Sequence, residues 1–335
     1  AARLTPAAAV ISREVAPARP ASRTQCRAAS RRCCRVEADW DADEVGESFI
    51  RTYDVFVEIL EHDSSHRSQH GSAGGSTGAP VTDRPGPLCP FEVARPVMSH
   101  RWLNLTFLHW RYPVDVVQRL LPPGLEVNSF DGSAWVALVP FEMEVTLVDR
   151  GAVPWLSRFP ETNVRTYVRA ADGSTGVWFL SLDASRLAAV VTARTSYRLP
   201  YFWSDMRVRK EPLHIGYESC RRWPGPRGVR STVGVDIGAP YGPDELGDLD
   251  HWMTARFRLF ATTPRGLRTA RAAHPPWVLY RAAVTELDDE LVVAAGLPAP
   301  SGDPIVHWSP GVDVSIGRPE RLGRAVTNPT CRASP

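Results

Sequence analysis

The chain has 335 residues, of which 43% are hydrophobic and 23% charged, and its net charge is +2. That length holds one large domain or two small ones around a sizeable core, and the near-neutral balance supplies no overall basic field for a nucleic-acid partner. Thirty prolines and twenty-four glycines argue against an all-helical protein and suit short strands joined by turns.

The first ninety residues differ in kind from the rest. Residues 1 to 36 carry eight arginines against one acid, Glu14, in an Ala/Pro/Ser background. Three readings fit that composition: plain disorder, an Arg-rich and Ser-rich organellar transit peptide, and an extension upstream of a true start codon. Residues 37 to 63 reverse the sign, and Phe49, Tyr53, Phe56, Val57 and Leu60 share a face of a predicted helix over 48–62. A Gly/Ser/Pro linker follows. It contains His62, His66 and His70 at a spacing of four, but their Ser and Gly neighbours do not support the helix that would stack them for a metal. Residues 1–90 are thus an extension and linker, 91–320 a folded domain, and 321–335 a tail.

Strand texture begins near residue 91. "LTFLHWRYP" ends a strand at His109, and "PVDVVQRLLPPG" reads as a short helix stopped by Pro122, Pro123 and Gly124. A hairpin is predicted around Asp131-Gly132, with an alternating second arm. That arm turns Trp135, Ala137, Val139, Phe141, Met143, Val145 and Leu147 to the core, and Glu142, Glu144 and Thr146 away. "TNVRTYVRA" and "GVWFLSLDA" form a second hairpin across "ADGST". A helix capped by Asp183 or Ser185 is predicted through "DASRLAAVVTARTSY". Strands are expected at 212–222, 229–236, 253–262, 276–287, 304–309 and 312–318, with a short helix in "DDELVVAAGLP" ended by Gly296 and Pro298. "GDLDHWM" and "DDE" read as solvated turns. Many strands, few helices and no βαβ rhythm give an α+β, mainly β class. The expected architecture is a closed antiparallel β barrel with a few peripheral helices and room for a ligand.

Six cysteines form no Cys-x-x-Cys pair and no zinc spacing. Only Cys220 lies in the central region, which fits a reducing, cytoplasmic setting. No apolar run is long enough to predict a membrane-spanning helix. Dinucleotide, P-loop, zincin and nucleophile-elbow motifs are absent, and no cofactor or metal is expected.

The candidate site comes from "RFPETNVRTYVRA". As a strand it aligns Glu161, Asn163, Arg165, Tyr167 and Arg169 on one face, with Glu161 and Arg165 roughly 13 Å apart along it. Arg165 suits a carboxylate, with Asn163 and Tyr167 as further ligand contacts, and Glu161 suits proton transfer. The competing reading is a solvent-facing row of cross-strand salt bridges. Of the three His-Trp pairs, at 109, 251 and 307, each more often structural than chemical, His109 is the one kept as a second catalytic candidate.

"RPVMSHRWLNLTFLHWRYPVDVVQRLLPPGLEVNSFDGSAWVALVPFEM", "FPETNVRTYV", "GVWFLSLDASRLAAVVTARTSYRLPYFW" and "HWSPGVDVSIGRP" together resemble the YqjF-like family of uncharacterised bacterial proteins, over about residues 92–320. That family looks like a relative of acetoacetate decarboxylase, and the resemblance implies a closed antiparallel barrel with an internal pocket. It also implies where a Schiff-base lysine would stand. Tyr201, Phe202 and Trp203 occupy that place in "RLPYFW", and the chain's single lysine, Lys210, lies downstream at an expected surface position. Arginine cannot replace the amine, because it stays protonated. The leading expectation is a small-molecule-binding barrel without the decarboxylase lysine, taking a small carboxylated or apolar ligand. The alternative is a non-covalent lyase, hydratase or isomerase acting on a carboxylated substrate, with Glu161 as acid/base and Arg165 as clamp. A third is an interaction protein that meets its partner through exposed tryptophans. Homo-oligomerisation is left open.

Overall fold

The computed structural model describes residues 87–147, 158–242 and 244–322. The 48–62 helix, the three spaced histidines and most of both terminal segments lie outside them. In chain order the elements begin with β1 (Met98–Tyr112), α1 (Val114–Gln118), β2 (Leu125–Val127), β3 (Ala134–Leu147), β4 (Arg158–Ala170) and β5 (Thr175–Ala184). Then come α2 (Leu187–Thr192), a π-helical turn (Ala193–Tyr197), β6 (Tyr201–Glu211), β7 (His214–Trp223) and β8 (Arg230–Pro240). The last are α3 (Asp248–Thr254), β9 (Arg258–Thr263), β10 (Gly266–Ala273), β11 (Tyr280–Asp289), α4 (Leu291–Ala294), β12 (Ile305–Ile316) and β13 (Glu320–Arg321).

The strands form one sheet in the order β13-β10-β9-β5-β6-β7-β8-β11-β12-β1-β3-β4-β2, with two further ladders, β10–β12 and β5–β4. Both extra ladders join strands that the linear order keeps apart. The sheet is mixed rather than wholly antiparallel, because β5 runs parallel to β6 and to β9. Between β5 and β6 the chain passes through α2 and the π turn, a crossover that returns it in the same direction.

Both sides of the central strands are buried, so the expectation of one core face is corrected. Phe107, Ala137, Val139, Phe141 and Phe159 pack in one cluster, while Leu108, Val136, Leu138 and Val164 pack in another with Ile215, Tyr217, Val233 and Val235. Alternation therefore sorts β1, β3 and β4 between two apolar layers rather than between core and water. The first cluster marks what is called here the inner face.

Several predicted elements change. β2 pairs with β4 instead of β3, so the predicted hairpin shrinks to the Asp131-Gly132 turn, closed by a Phe130–Ser133 bridge. Asp183 does not cap α2: it is fully buried on β5, bound to Arg221 Nε and Nη2 at 2.9 and 2.6 Å and to Ser204 at 2.7 Å. "GDLDHWM" is the helix α3, because Asp250 takes the Gly247 N–H at 2.8 Å and closes its first turn. Met253 consequently ends a helix, and β9 starts only at Arg258. The expected strands at 304–309 and 312–318 are one strand, β12, and β10 adds a strand that weak alternation concealed.

Candidate functional site

β4 supplies the central row. Glu161, Asn163, Arg165 and Tyr167 are all buried, at 2, 5, 7 and 0% exposure, so the solvent-facing alternative does not hold for them. Register places Phe141 beside Glu161, Val139 beside Asn163 and Ala137 beside Arg165 on β3. On the other flank Leu182 pairs with both Asn163 and Tyr201, which brings β6 to the same face. Arg169 lies beyond, on the partly exposed end of β4 near Glu126 of β2.

At one end of the row, the Tyr201 hydroxyl donates to Glu161 Oε2 at 3.0 Å. Burial pushes the Glu161 carboxyl up to about 8, with the Asp183 charge adding to the shift and the Tyr201 bond opposing it. Glu161 is therefore mostly protonated at neutral pH, a carboxylic acid able to give a proton as well as accept one.

At the other end stands a ring of aromatics and imidazoles. Tyr167 donates its only hydroxyl proton to the Met253 carbonyl at 2.7 Å. His109 Nε2 lies 2.7 Å from the Tyr167 hydroxyl oxygen, whose proton is already committed, so Nε2 must be the donor in that contact, and its lone pair resides on Nδ1. Burial, then Arg165, His307 and Arg256, hold His109 well below the usual histidine range, and the ring is neutral. Arg165 sits over the rings of Phe107 and Tyr167, at 5.5 and 5.9 Å from their centroids. Its Nε and Nη2 are buried and bond to nothing in the protein. Asn163 Oδ1 and His109 Nδ1 are in the same condition. A buried guanidinium with two unmet donors is costly, because nothing replaces the water it lost.

Three residues not among the site candidates, His307, His274 and Arg256, complete this end. His307 on β12 pairs in register with Phe107, and its Nε2 is 3.0 Å from Asp250 Oδ1 of α3. His274 bonds the Pro275 carbonyl through Nδ1 at 2.8 Å and packs between Phe257 and Trp277. Arg256 lies over Tyr167 and Trp252, bonded to Trp252 O and Asn128 Oδ1. Alternation about Trp308 does set His307 on the inner side of its strand, but no spacing in the chain pairs it with Asp250. Among the described residues no group of three His, Cys, Asp or Glu side chains is placed to hold a metal ion.

Lys210 is half-exposed on β6, and its Nζ is 2.7 Å from Glu142 Oε2, on the side of β3 opposite Phe141. Trp135 packs in a cluster with Tyr167, whereas Trp178 packs with Leu125, Val168 and Phe260, away from the row. A hollow of about 610 Å³ opens beside Gln118, Pro122, Glu126 and Arg169, and neither Glu161 nor Arg165 lines it. No helix among the described residues is long and apolar enough to cross a membrane.

The DUF2071 family, an uncharacterised conserved protein (COG2071), matches residues 99–313. The uncharacterised protein YqjF of Bacillus subtilis (strain 168) is 34% identical over 220 residues, covering 65% of this chain and 89% of YqjF. Solved structures that match include the enduracididine biosynthesis enzyme MppR with HEPES buffer bound, at 15% identity and TM-score 0.47, covering 75% of this chain and 98% of that one. An acetoacetate decarboxylase-like enzyme from Sphingomonas wittichii RW1 matches at 14% identity and TM-score 0.49, covering 70% and 96%. Acetoacetate decarboxylase from Legionella pneumophila matches at 13% identity and TM-score 0.47, covering 79% and 95%.

Proposed function

This chain belongs to the YqjF-like DUF2071 family of uncharacterised conserved proteins, and from that premise we propose that it is a small-molecule-binding β-barrel protein whose interior holds a carboxylated ligand on Arg165. The observation that carries this reading is the pair of buried, unpartnered donors on Arg165, Nε and Nη2. Two adjacent N–H groups on a guanidinium match the two oxygens of a carboxylate. The aromatic surround of Phe107, Tyr167 and Trp277 supplies the apolar walls of such a site. The ladders β5–β4 and β10–β12 support the finer reading of the sheet as a closed barrel.

The site works without a Schiff base. The chain's single lysine is half-exposed and ion-paired with Glu142, while the place the resemblance assigns to the amine holds Tyr201, bonded to Glu161. A second reading rests on the raised Glu161: a protonated acid in the same row as the clamp suits a non-covalent lyase, hydratase or isomerase, with Glu161 as acid/base. His109, bonded to Tyr167, positions that ring beside Arg165 in either reading.

The test is thermal stabilisation by small carboxylates. We expect a rise in melting temperature that Arg165→Met abolishes, with the unliganded protein still folded, since replacing an unpaired buried charge by a chain of similar length does not destabilise. An unchanged rise in Arg165→Met would refute the clamp. If turnover is found, Glu161→Gln keeps binding and loses turnover, because an amide holds the shape and exchanges no proton at neutral pH.

A further inference from the structure

Which ligand fits is legible in the direction of the unmet hydrogen bonds, given the reading of Arg165 as a carboxylate clamp. Three imidazoles belong to the cluster of Arg165 and Phe107, and each is fixed by a different partner. Tyr167 makes His109 Nε2 a donor and leaves Nδ1 bare. The Pro275 carbonyl makes His274 Nδ1 a donor, and the Arg256 backbone also bonds this ring. Asp250 makes His307 Nε2 a donor and leaves Nδ1 bare in the neutral ring. All three rings are at least nine-tenths buried, and His109 Nδ1 and His307 Nδ1 lack a partner in the protein.

Shared contacts hold the group together. Phe107 stacks on His109 with ring centroids 6.1 Å apart, meets Trp277 at 5.1 Å, and pairs in register with His307. Trp277 in turn lies 5.1 Å from His274. Arg165 covers Phe107 from 5.5 Å, and it lowers the protonation of both His109 and His274. Asn163 Oδ1, next along β4, is a further buried acceptor without a partner. Trp102 Nε1, beside His274, adds one more unmet donor.

We infer that the ligand is a small hydroxycarboxylate, whose carboxylate takes the Arg165 donors and whose hydroxyl donates to the bare Nδ1 of His307. An oxo acid offers only acceptors and leaves that nitrogen unmet. A hydroxy acid of the same skeleton satisfies both halves, and a site built to accept a proton discriminates by that bond.

The probes are two matched pairs, lactate against pyruvate and 3-hydroxybutyrate against acetoacetate, measured by calorimetry and by melting temperature at neutral pH. The hydroxy member of at least one pair is expected to bind about tenfold tighter. Asp250→Asn supplies the inversion. The Gly247 N–H, 2.8 Å from Asp250 Oδ2, holds the new amide oxygen on its side and turns the amide N–H₂ toward His307. His307 Nε2 must then accept, and Nδ1 becomes a donor. The preference for the hydroxy acid should fall at least several-fold, while binding that depends on Arg165 persists. Should the variant fail to fold, imidazole ¹⁵N spectra of the unmodified protein decide instead: His307 bearing its proton on Nδ1 overturns the inference. Equal binding of both members of each pair, lost in Arg165→Met, overturns the hydroxyl assignment and leaves the carboxylate clamp standing. No binding by any of the four overturns both.

Discussion

Glu161 and Lys210 are the two residues whose chemistry is most sharply set by where they sit. Glu161 is in the inner row with its carboxyl raised to about 8 by burial, above its ordinary value. Folding therefore takes up a proton there, and the sign follows: the contribution is complete below the unfolded pKa and is lost as pH rises through the folded one. Stability should fall between about pH 5 and pH 8.5, by at most about 5 kcal/mol from this group. Glu161→Gln should flatten that fall in urea titrations at the two pH values; an equally steep fall in the variant would assign it elsewhere. Lys210 presents the opposite case. It is half-exposed and paired with Glu142, so borohydride reduction with acetoacetate should leave it unmodified by mass spectrometry. Lys210→Arg should change stability by no more than about 0.5 kcal/mol. A trapped adduct at Lys210 would reinstate amine chemistry. The polar row was legible because period-two alternation in "ETNVRTY" needs no partner strand to be seen. His307, Asp250 and His274 were not, because their roles exist only once β12, α3 and the segment after β10 meet.

Elements were legible where their signals were local. The Asp131-Gly132 turn, the β4–β5 hairpin and the Gly296 stop after α4 follow from turn chemistry, and all three occur. Pairing of β2 with β4 and the break between α3 and β9 depend on tertiary partners, so periodicity misassigned them. β12 shows the cost of reading a proline and a glycine as a boundary. Pro310 and Gly311 lie inside one continuous strand, and the β1–β12 register runs unbroken past them, Leu103 pairing with Gly311 and Leu105 with Ser309. Gly311 has φ +131, and a Cβ there would come within 2.1 Å of Trp102 O and 2.9 Å of Leu103 Cα. Neither backbone atom can retreat without breaking the β1–β12 ladder. Gly311→Ala should therefore cost on the order of 3 kcal/mol or more, against about 1 kcal/mol for Gly132→Ala, whose φ is +71 with open space around it. Equal urea midpoints for the two variants would contradict the close approach. Asp183, misread as a cap, makes the companion case on β5. It is buried with Arg221 stacked 3.6 Å from the Phe202 ring, and Asp183→Asn should cost about 3–5 kcal/mol by stranding that guanidinium.

At the scale of the whole molecule, one-sided strands were expected and two-sided ones are found. The sequence pattern records which residues alternate but not what lies on each side. Thr162, Val164 and Thr166 are as buried as the Glu161 row, because the β7, β8 and β11 layer covers their face. This has a consequence for what holds the fold. Both apolar layers are built from residues between Val97 and Leu322. Their burial supplies hydrophobic stabilisation from within the described residues. The family match, residues 99–313, covers the same span. We therefore predict that a chain trimmed to residues 91–322 folds alone, binds carboxylates as the full chain does, and melts within about two degrees of it, since terminal tails change stability little. Phe91 marks where trimming should begin to hurt. Its ring lies 5.0 Å from both the Arg258 and Arg271 guanidinium carbons, bridging β9 and β10. Starting the chain at residue 96 removes that clasp and should lower the melting temperature by several degrees, roughly the effect of about 1 kcal/mol. Aggregation of the 91–322 chain would place part of the core in the first ninety residues; an unaltered melt on starting at 96 would show that Phe91 holds nothing.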